Sequence, residues 1–185
     1  MDNFDICINY ILESEGGLVD NKYDAGGITK YGISLRAYKN IYPKATRETI
    51  INLTKEDAIR FYNSFFWLQC GAESVDLPVA LVLFDISVNC GQETAVKLLQ
   101  RALGVNDDGI IGNKTLAAIR ASKWQTLLCN LNVRRLLYYF EICTPKETDT
   151  PTIRDKKEIR RNNFLRGWLN RSEKTFLNAI KLGKK

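Results

Sequence analysis

Val79-Ala80-Leu81-Val82-Leu83-Phe84 is the longest unbroken apolar run in the chain, and it stands directly behind Pro78 and short of Gly91. Proline suits the first position of a helix, because its fixed φ is helical and its missing N–H is one that the first turn does not need. Glycine is common just past a helix end. The run therefore predicts an apolar helix from Pro78 to about Cys90. Its six residues fall far short of the roughly 20 that cross a membrane, so the stretch reads as core and no stable membrane insertion is expected. Asp85 interrupts it, and an acid buried in an apolar helix demands partners.

The remaining pattern is mainly helical. Phe4, Ile8, Ile11 and Leu12 follow helical spacing until Gly16-Gly17, which predicts a first helix over about 3–15. Residues 17–33 are Gly-rich with the β-compatible pieces Leu18-Val19 and Ile28-Thr29, so a tight hairpin or an irregular loop is expected there. Short helices fit 35–42 and 47–52. Thr54-Lys55-Glu56-Asp57 reads as an N-cap with acids in the first turn, and Ala58, Ile59, Tyr62, Phe65 and Phe66 are spaced as the buried face behind it. Helices over about 93–103, 114–121, 123–142 and 156–182 complete the reading, with a turn-rich loop at 104–112 and a polar connector at 144–155. There is no internal repeat or sustained heptad, so 185 residues at 45% hydrophobic content make one compact domain, or one with a small appended lobe.

Twenty-seven Lys and Arg against 21 Asp and Glu favour an anionic partner: nucleic acid, an acidic lipid surface or a wall polymer. Five scattered cysteines, Cys7, Cys70, Cys90, Cys129 and Cys143, form no C-x-x-C pair and read as reduced, mostly buried thiols. The absence of histidine excludes Ser-His and Cys-His nucleophile pairs and any His-containing zinc site. Catalysis must then run on carboxylates, Tyr, Lys or a thiol without His. The first basic residue is Lys22 and the opening residues are acidic, so synthesis in the cytoplasm without a signal peptide is expected.

Adding four to the stripe Phe4, Ile8, Ile11 puts Glu15 on the apolar face, whereas Glu13 points elsewhere. A carboxyl half-buried against apolar side chains has its charged form disfavoured and keeps a proton near neutral pH, as a general acid at a glycosidic oxygen must. Glycosidases add a second carboxylate for the water or the developing cationic sugar. Asp24, eight residues on and followed by Ala25-Gly26-Gly27, fits that role, and Thr29 offers a hydroxyl to position the water. The separation of the two carboxyls would set the stereochemistry, a gap of roughly 6.5–9.5 Å favouring inversion. Taken singly, each acid also reads as a helix end or a turn residue.

Glu15-Gly16-Gly17 followed by Asp24-Ala25-Gly26-Gly27-Ile28-Thr29-Lys30-Tyr31-Gly32-Ile33 resembles the signature of glycoside hydrolase family 108, lysozyme-like N-acetylmuramidases of phage endolysins and of bacterial proteins once called secretion activators. The Glu, Asp, Thr order is similar to that of phage-type lysozymes, with an Asp-to-Thr gap one residue shorter. Leu77-Pro78 and Phe84-Asp85 through Val88-Asn89-Cys90-Gly91 resemble the family's central helix. Leu99 to Val105, Asp108 to Leu116 and Phe164 to Arg171 resemble the peptidoglycan-binding segment fused behind it. The resemblance implies a lysozyme-like, mainly α fold with a catalytic part over 1–88 and a helical peptidoglycan-binding-like segment over 89–185, packed as one compact unit. It also implies Glu15 as catalytic acid, with Asp24 and Thr29 beside it, and hydrolysis of the β-1,4 bond after N-acetylmuramic acid in peptidoglycan without metal or organic cofactor. Such an endolysin would be a monomer that reaches the wall after release, through a holin-made lesion.

Other residues carry competing readings. Tyr31, Tyr62, Trp67 and Trp168 are able to stack on sugar rings or to sit in the core. Asp85 and Asn89 are candidates for shaping the substrate cleft, with an internally bonded structural Asp85 as the alternative. Asn106-Asp107-Asp108-Gly109 resembles a fragment of a calcium loop but lacks the later ligands, so it reads as an ordinary turn. Lys156-Lys157, Arg160-Arg161 and Arg166 read as a solvated helix face, and no nucleic acid partner is expected. The rivals are a non-catalytic wall-binding or secretion-assisting protein, a basic nucleic-acid module, and a lytic transglycosylase or chitinase.

Overall fold

The computed structural model describes residues 2–14 and 27–184. Packing divides the chain into two compact units, 1–68 and 69–185. The expected division at 88/89 follows sequence character instead, and the two lines differ because the apolar helix packs with the helices that come after it.

In the first unit, α1 (Asn3–Ser14) begins where the backbone N–H of Asp5 donates to Asp2 Oδ1 at 2.8 Å, and that of Asp2 to Asp5 Oδ2 at 3.1 Å. Its Phe4, Cys7, Ile8 and Ile11 are buried along one stripe. β1 (Thr29–Lys30) and β2 (Ile33–Ser34) pair antiparallel, Thr29 opposite Ser34 and Lys30 opposite Ile33. Then come α2 (Leu35–Lys39) and α3 (Arg47–Ile51), capped by the Ser34 hydroxyl and by a Thr46/Thr49 capping box. α4 (Lys55–Tyr62) starts from a Thr54/Asp57 capping box, as the sequence indicated.

The buried face of α4 departs from expectation. The helix runs on as a π-helical turn, Asn63–Trp67, in which the Leu68 N–H donates to the Asn63 carbonyl at 3.0 Å. A five-residue bond rotates the face relative to the 3.6-residue period. Trp67 is consequently buried, packing at 5.5 Å on Phe4, while Phe65 and Phe66 are only half-buried. Phe61, absent from the expected stripe, stacks with Tyr38 at 5.2 Å and meets Phe65 at 5.1 Å.

In the second unit, α5 (Leu77–Cys90) carries its proline in the first turn and is buried without interruption from Pro78 to Ser87. It sits against α6 (Gln92–Leu103), α8 (Trp124–Cys143) and α10 (Leu165–Leu182), which is why it shows no polar face. Gly91, at φ 90 and ψ 155, joins α5 to α6 in a conformation open to glycine. The loop to α7 (Asn113–Ala121) is tied to buried Gln100, whose Nε2 donates to Asp108 Oδ1 at 2.8 Å and whose Oε1 accepts from the Gly109 N–H at 2.8 Å. Asp108 is thereby engaged in holding a turn.

The expected long final helix is two helices. α9 (Pro151–Asn163) begins early because the Thr150 hydroxyl caps it and Pro151 takes its first turn, which shortens the connector. Phe164, at φ −125 and ψ −30, ends α9 and opens α10. α9 lies on α8 and α10 with none of its residues buried. Among the described residues no helix is long and apolar enough to cross a membrane.

Candidate functional site

Glu15 and Asp24 lie outside the described residues. The third proposed catalytic side chain, Thr29, stands half-buried on β1, its hydroxyl 3.4 Å from the Gly27 carbonyl. Buried Ile28 and Ile33 anchor the strands on either side of the turn. The turn residues Tyr31 and Gly32 both have positive φ, 52 and 75, as a two-residue hairpin of the primed type requires. Glycine adopts this freely, whereas tyrosine does so at a cost.

Two contacts hold the strained residue. The Tyr62 hydroxyl donates to the Tyr31 carbonyl at 2.9 Å, and Lys30 Nζ donates to the Ile51 carbonyl at 2.6 Å, at the end of α3. Tyr62 is 1% exposed and packs among Phe61 and Phe66, so it acts as an internal strut of the hairpin rather than as an open ring face. Tyr31 stays half-buried at the turn, its ring under Lys30 Nζ at 5.6 Å.

Asp85 and Asn89 belong to a polar chain inside the second unit. Asp85, 1% exposed, accepts from Arg135 Nη2 at 2.6 Å, from Arg171 Nε at 2.8 Å and from the Thr175 hydroxyl at 3.3 Å. Arg135 Nε donates to the Tyr139 hydroxyl at 2.8 Å, and Asn89 Nδ2 donates to the same oxygen at 2.8 Å. Burial opposes the charge on Arg135, but Asp85 and Tyr139 outweigh it and hold its pKa above the ordinary value. Burial pushes the Tyr139 phenol and the neighbouring Cys90 thiol up. Asp85 is thus fully engaged by side chains of α8 and α10, and Asn89 is tied to α8.

Arg135, Tyr139 and Arg171 were not singled out from the sequence. A signal existed, because Leu127, Leu128, Leu131, Arg135 and Tyr139 continue one buried stripe of α8. A guanidinium at such a position needs a buried acid, and Asp85 was the candidate.

Charge is divided unequally along the chain. Residues 69–185 carry 19 Lys and Arg against 12 Asp and Glu, while residues 1–68 carry 8 against 9. The second unit therefore carries the net positive charge of the chain.

Residues 8–91 match the family described as Glycosyl hydrolase 108, and residues 94–173 match the one described as Predicted Peptidoglycan domain. Over residues 8–91 the chain is similar to the glycosyl hydrolase 108 family. Among solved structures, that titled "Structure of Brucella abortus SagA" is similar, with a TM-score of 0.80 and 26% identity over 98% of this chain and 96% of that one. Comparison with curated proteins found no match. The mainly α, lysozyme-like fold with its small antiparallel hairpin agrees with the family. The two matched segments support a peptidoglycan-acting, lysozyme-like role in the glycoside hydrolase class, with peptidoglycan as the ligand. The first match covers the hairpin and all of α5, and the second begins within α6.

Proposed function

We propose that the chain hydrolyses the β-1,4 bond between N-acetylmuramic acid and N-acetylglucosamine in peptidoglycan. The reading is carried by the Glycosyl hydrolase 108 match over 8–91, which takes in Glu15, Asp24 and Thr29, followed directly by a peptidoglycan match. In it, the Glu15 carboxyl gives its proton to the glycosidic oxygen as the bond to C1 of the muramic residue breaks. Asp24, with the Thr29 hydroxyl, orients a water onto that carbon and accepts its proton, so each turnover consumes one water and leaves one new reducing end. The Tyr62 strut supports this role for Thr29, because a hydroxyl that positions water must itself be held still.

The test is mass spectrometry of fragments released from purified sacculi by the wild-type chain and by Glu15→Gln. Hydrated reducing muramic ends from the wild type alone are expected. Anhydro ends would replace the reading with a lytic transglycosylase. Binding to sacculi with no fragments from either protein would replace it with a non-catalytic wall-binding protein.

A further inference from the structure

The segment that matches the peptidoglycan domain contains a cavity of about 450 Å³, within the range of small-molecule sites. It opens where α6, α7 and α8 meet. Ala102, Ala118, Ala121 and Leu127 give it methyl-sized and aliphatic walls, and Lys123 and Asn130 stand at its rim. None of its lining residues is aromatic. Sugar rings are held by flat aromatic faces, so the lining does not suit a glycan strand.

It suits a short peptide with small side chains and a free carboxylate. Three alanines leave room for methyl groups where larger side chains would close the space. Lys123 is exposed and makes no ion pair among the described residues, so its ammonium is available to an anion. Lys123 is also the N-cap of α8 and makes no side-chain cap hydrogen bond, and the first turn of that 20-residue helix borders the cavity through Lys123 and Thr126. Asn130 reaches across with Nδ2 only 3.4 Å from the Ala102 carbonyl, leaving its amide oxygen for a peptide N–H.

We propose that this cavity is a subsite for the alanine-rich stem peptide of peptidoglycan, with the peptide carboxylate on Lys123 and alanine methyl groups against Ala102, Ala118 and Ala121. The assignment rests on the peptidoglycan reading above and adds which part of the polymer the second unit grips. The glycan would then be cleaved by one part of the chain while another holds its peptide.

Titration of the intact chain, followed by calorimetry and by two-dimensional NMR, tests this with three probes: a synthetic stem pentapeptide ending in alanine, the same peptide as its C-terminal amide, and an N-acetylglucosamine trimer. The pentapeptide should shift the amides of residues 118–130. The amide form should bind on the order of fivefold more weakly, and the trimer should leave those amides unmoved. Lys123→Gln should weaken the pentapeptide to the level of its amide form. Ala118→Leu, which fills the cavity, should weaken it at least about tenfold. Should Ala118→Leu disturb α7, Lys123→Gln on its exposed site still decides. No pentapeptide binding, binding that both variants leave unchanged, or shifts confined to other residues would overturn the proposal. Sacculus digestion by the same preparation separates the two readings. Digestion without peptide binding removes only the subsite, peptide binding without digestion removes only the hydrolase, and loss of both removes both.

Discussion

Arg135 Nη2 donates to Asp85 Oδ2 at 2.6 Å with the two side chains 0% and 1% exposed, and the residues come from helices 50 positions apart in sequence. Arg171 adds a second guanidinium to the same carboxylate. A buried pair gains little net stability over well-packed apolar residues, but removing one partner strands the other's charge in the core.

Asp85→Asn should therefore cost about 3–5 kcal/mol, since it leaves Arg135 and Arg171 facing a neutral amide. Urea unfolding monitored by circular dichroism measures it. The double variant Asp85→Leu, Arg135→Met should be closer to wild type than Asp85→Asn alone, and a larger loss in the double variant would contradict the argument.

Tyr31 holds φ 52 with help from the Tyr62 hydroxyl. Tyr62→Phe should cost about 1 kcal/mol by loss of that bond and should lower kcat more than it raises KM, because the strand that loosens carries Thr29. Tyr31→Gly relieves the backbone at the turn, a gain of up to about 1 kcal/mol, so its melting temperature should match or exceed that of Tyr31→Val, in which a β-branched residue meets the same φ.

Thiol reactivity should follow burial. Cys129 is exposed, whereas burial pushes the Cys70 thiol up to about 12 and raises Cys90 and Cys143. At pH 8 a thiol reagent should label Cys129 first, with Cys70 reacting orders of magnitude more slowly. Because the folded pKa of Cys70 is the raised one, its contribution to stability is complete below the ordinary thiol value and is lost as pH climbs toward 12. Urea midpoints that rise between pH 9 and pH 11 would contradict this.

Gly183, just past α10, lies against the Trp124 ring so closely that an added methyl would overlap it. The constraint is space and not backbone, since φ is −74. Gly183→Ala should cost about 1–3 kcal/mol as ring or helix end shifts, readable as a lower melting temperature with a changed tryptophan emission.

Most helices were legible because their signals are local. Pro78 and Gly91 bracket α5, Thr54 and Asp57 open α4, and the stripe Phe4, Ile8, Ile11 is the buried face of α1. The Thr150-Pro151 start of α9 was equally local and was missed under the polar composition around it. The candidate site was legible as a pattern of residue types: the Glu15, Asp24, Thr29 order, of which the described residues carry Thr29 on its hairpin.

The sequence by itself determined the helical class and the need of Asp85 for partners, because caps, period and a buried charge act over a few residues or follow from one residue's chemistry. Only the tertiary structure decided which residues answer that need. Arg135, Arg171 and Thr175 meet Asp85 because α8 and α10 pack on α5. It likewise decided that Trp67 and not Phe66 enters the core, since a π turn changes the period where packing rewards it, and that three alanines from two helices line one cavity. Each of these is settled by long-range packing, which near-neighbour patterns do not encode.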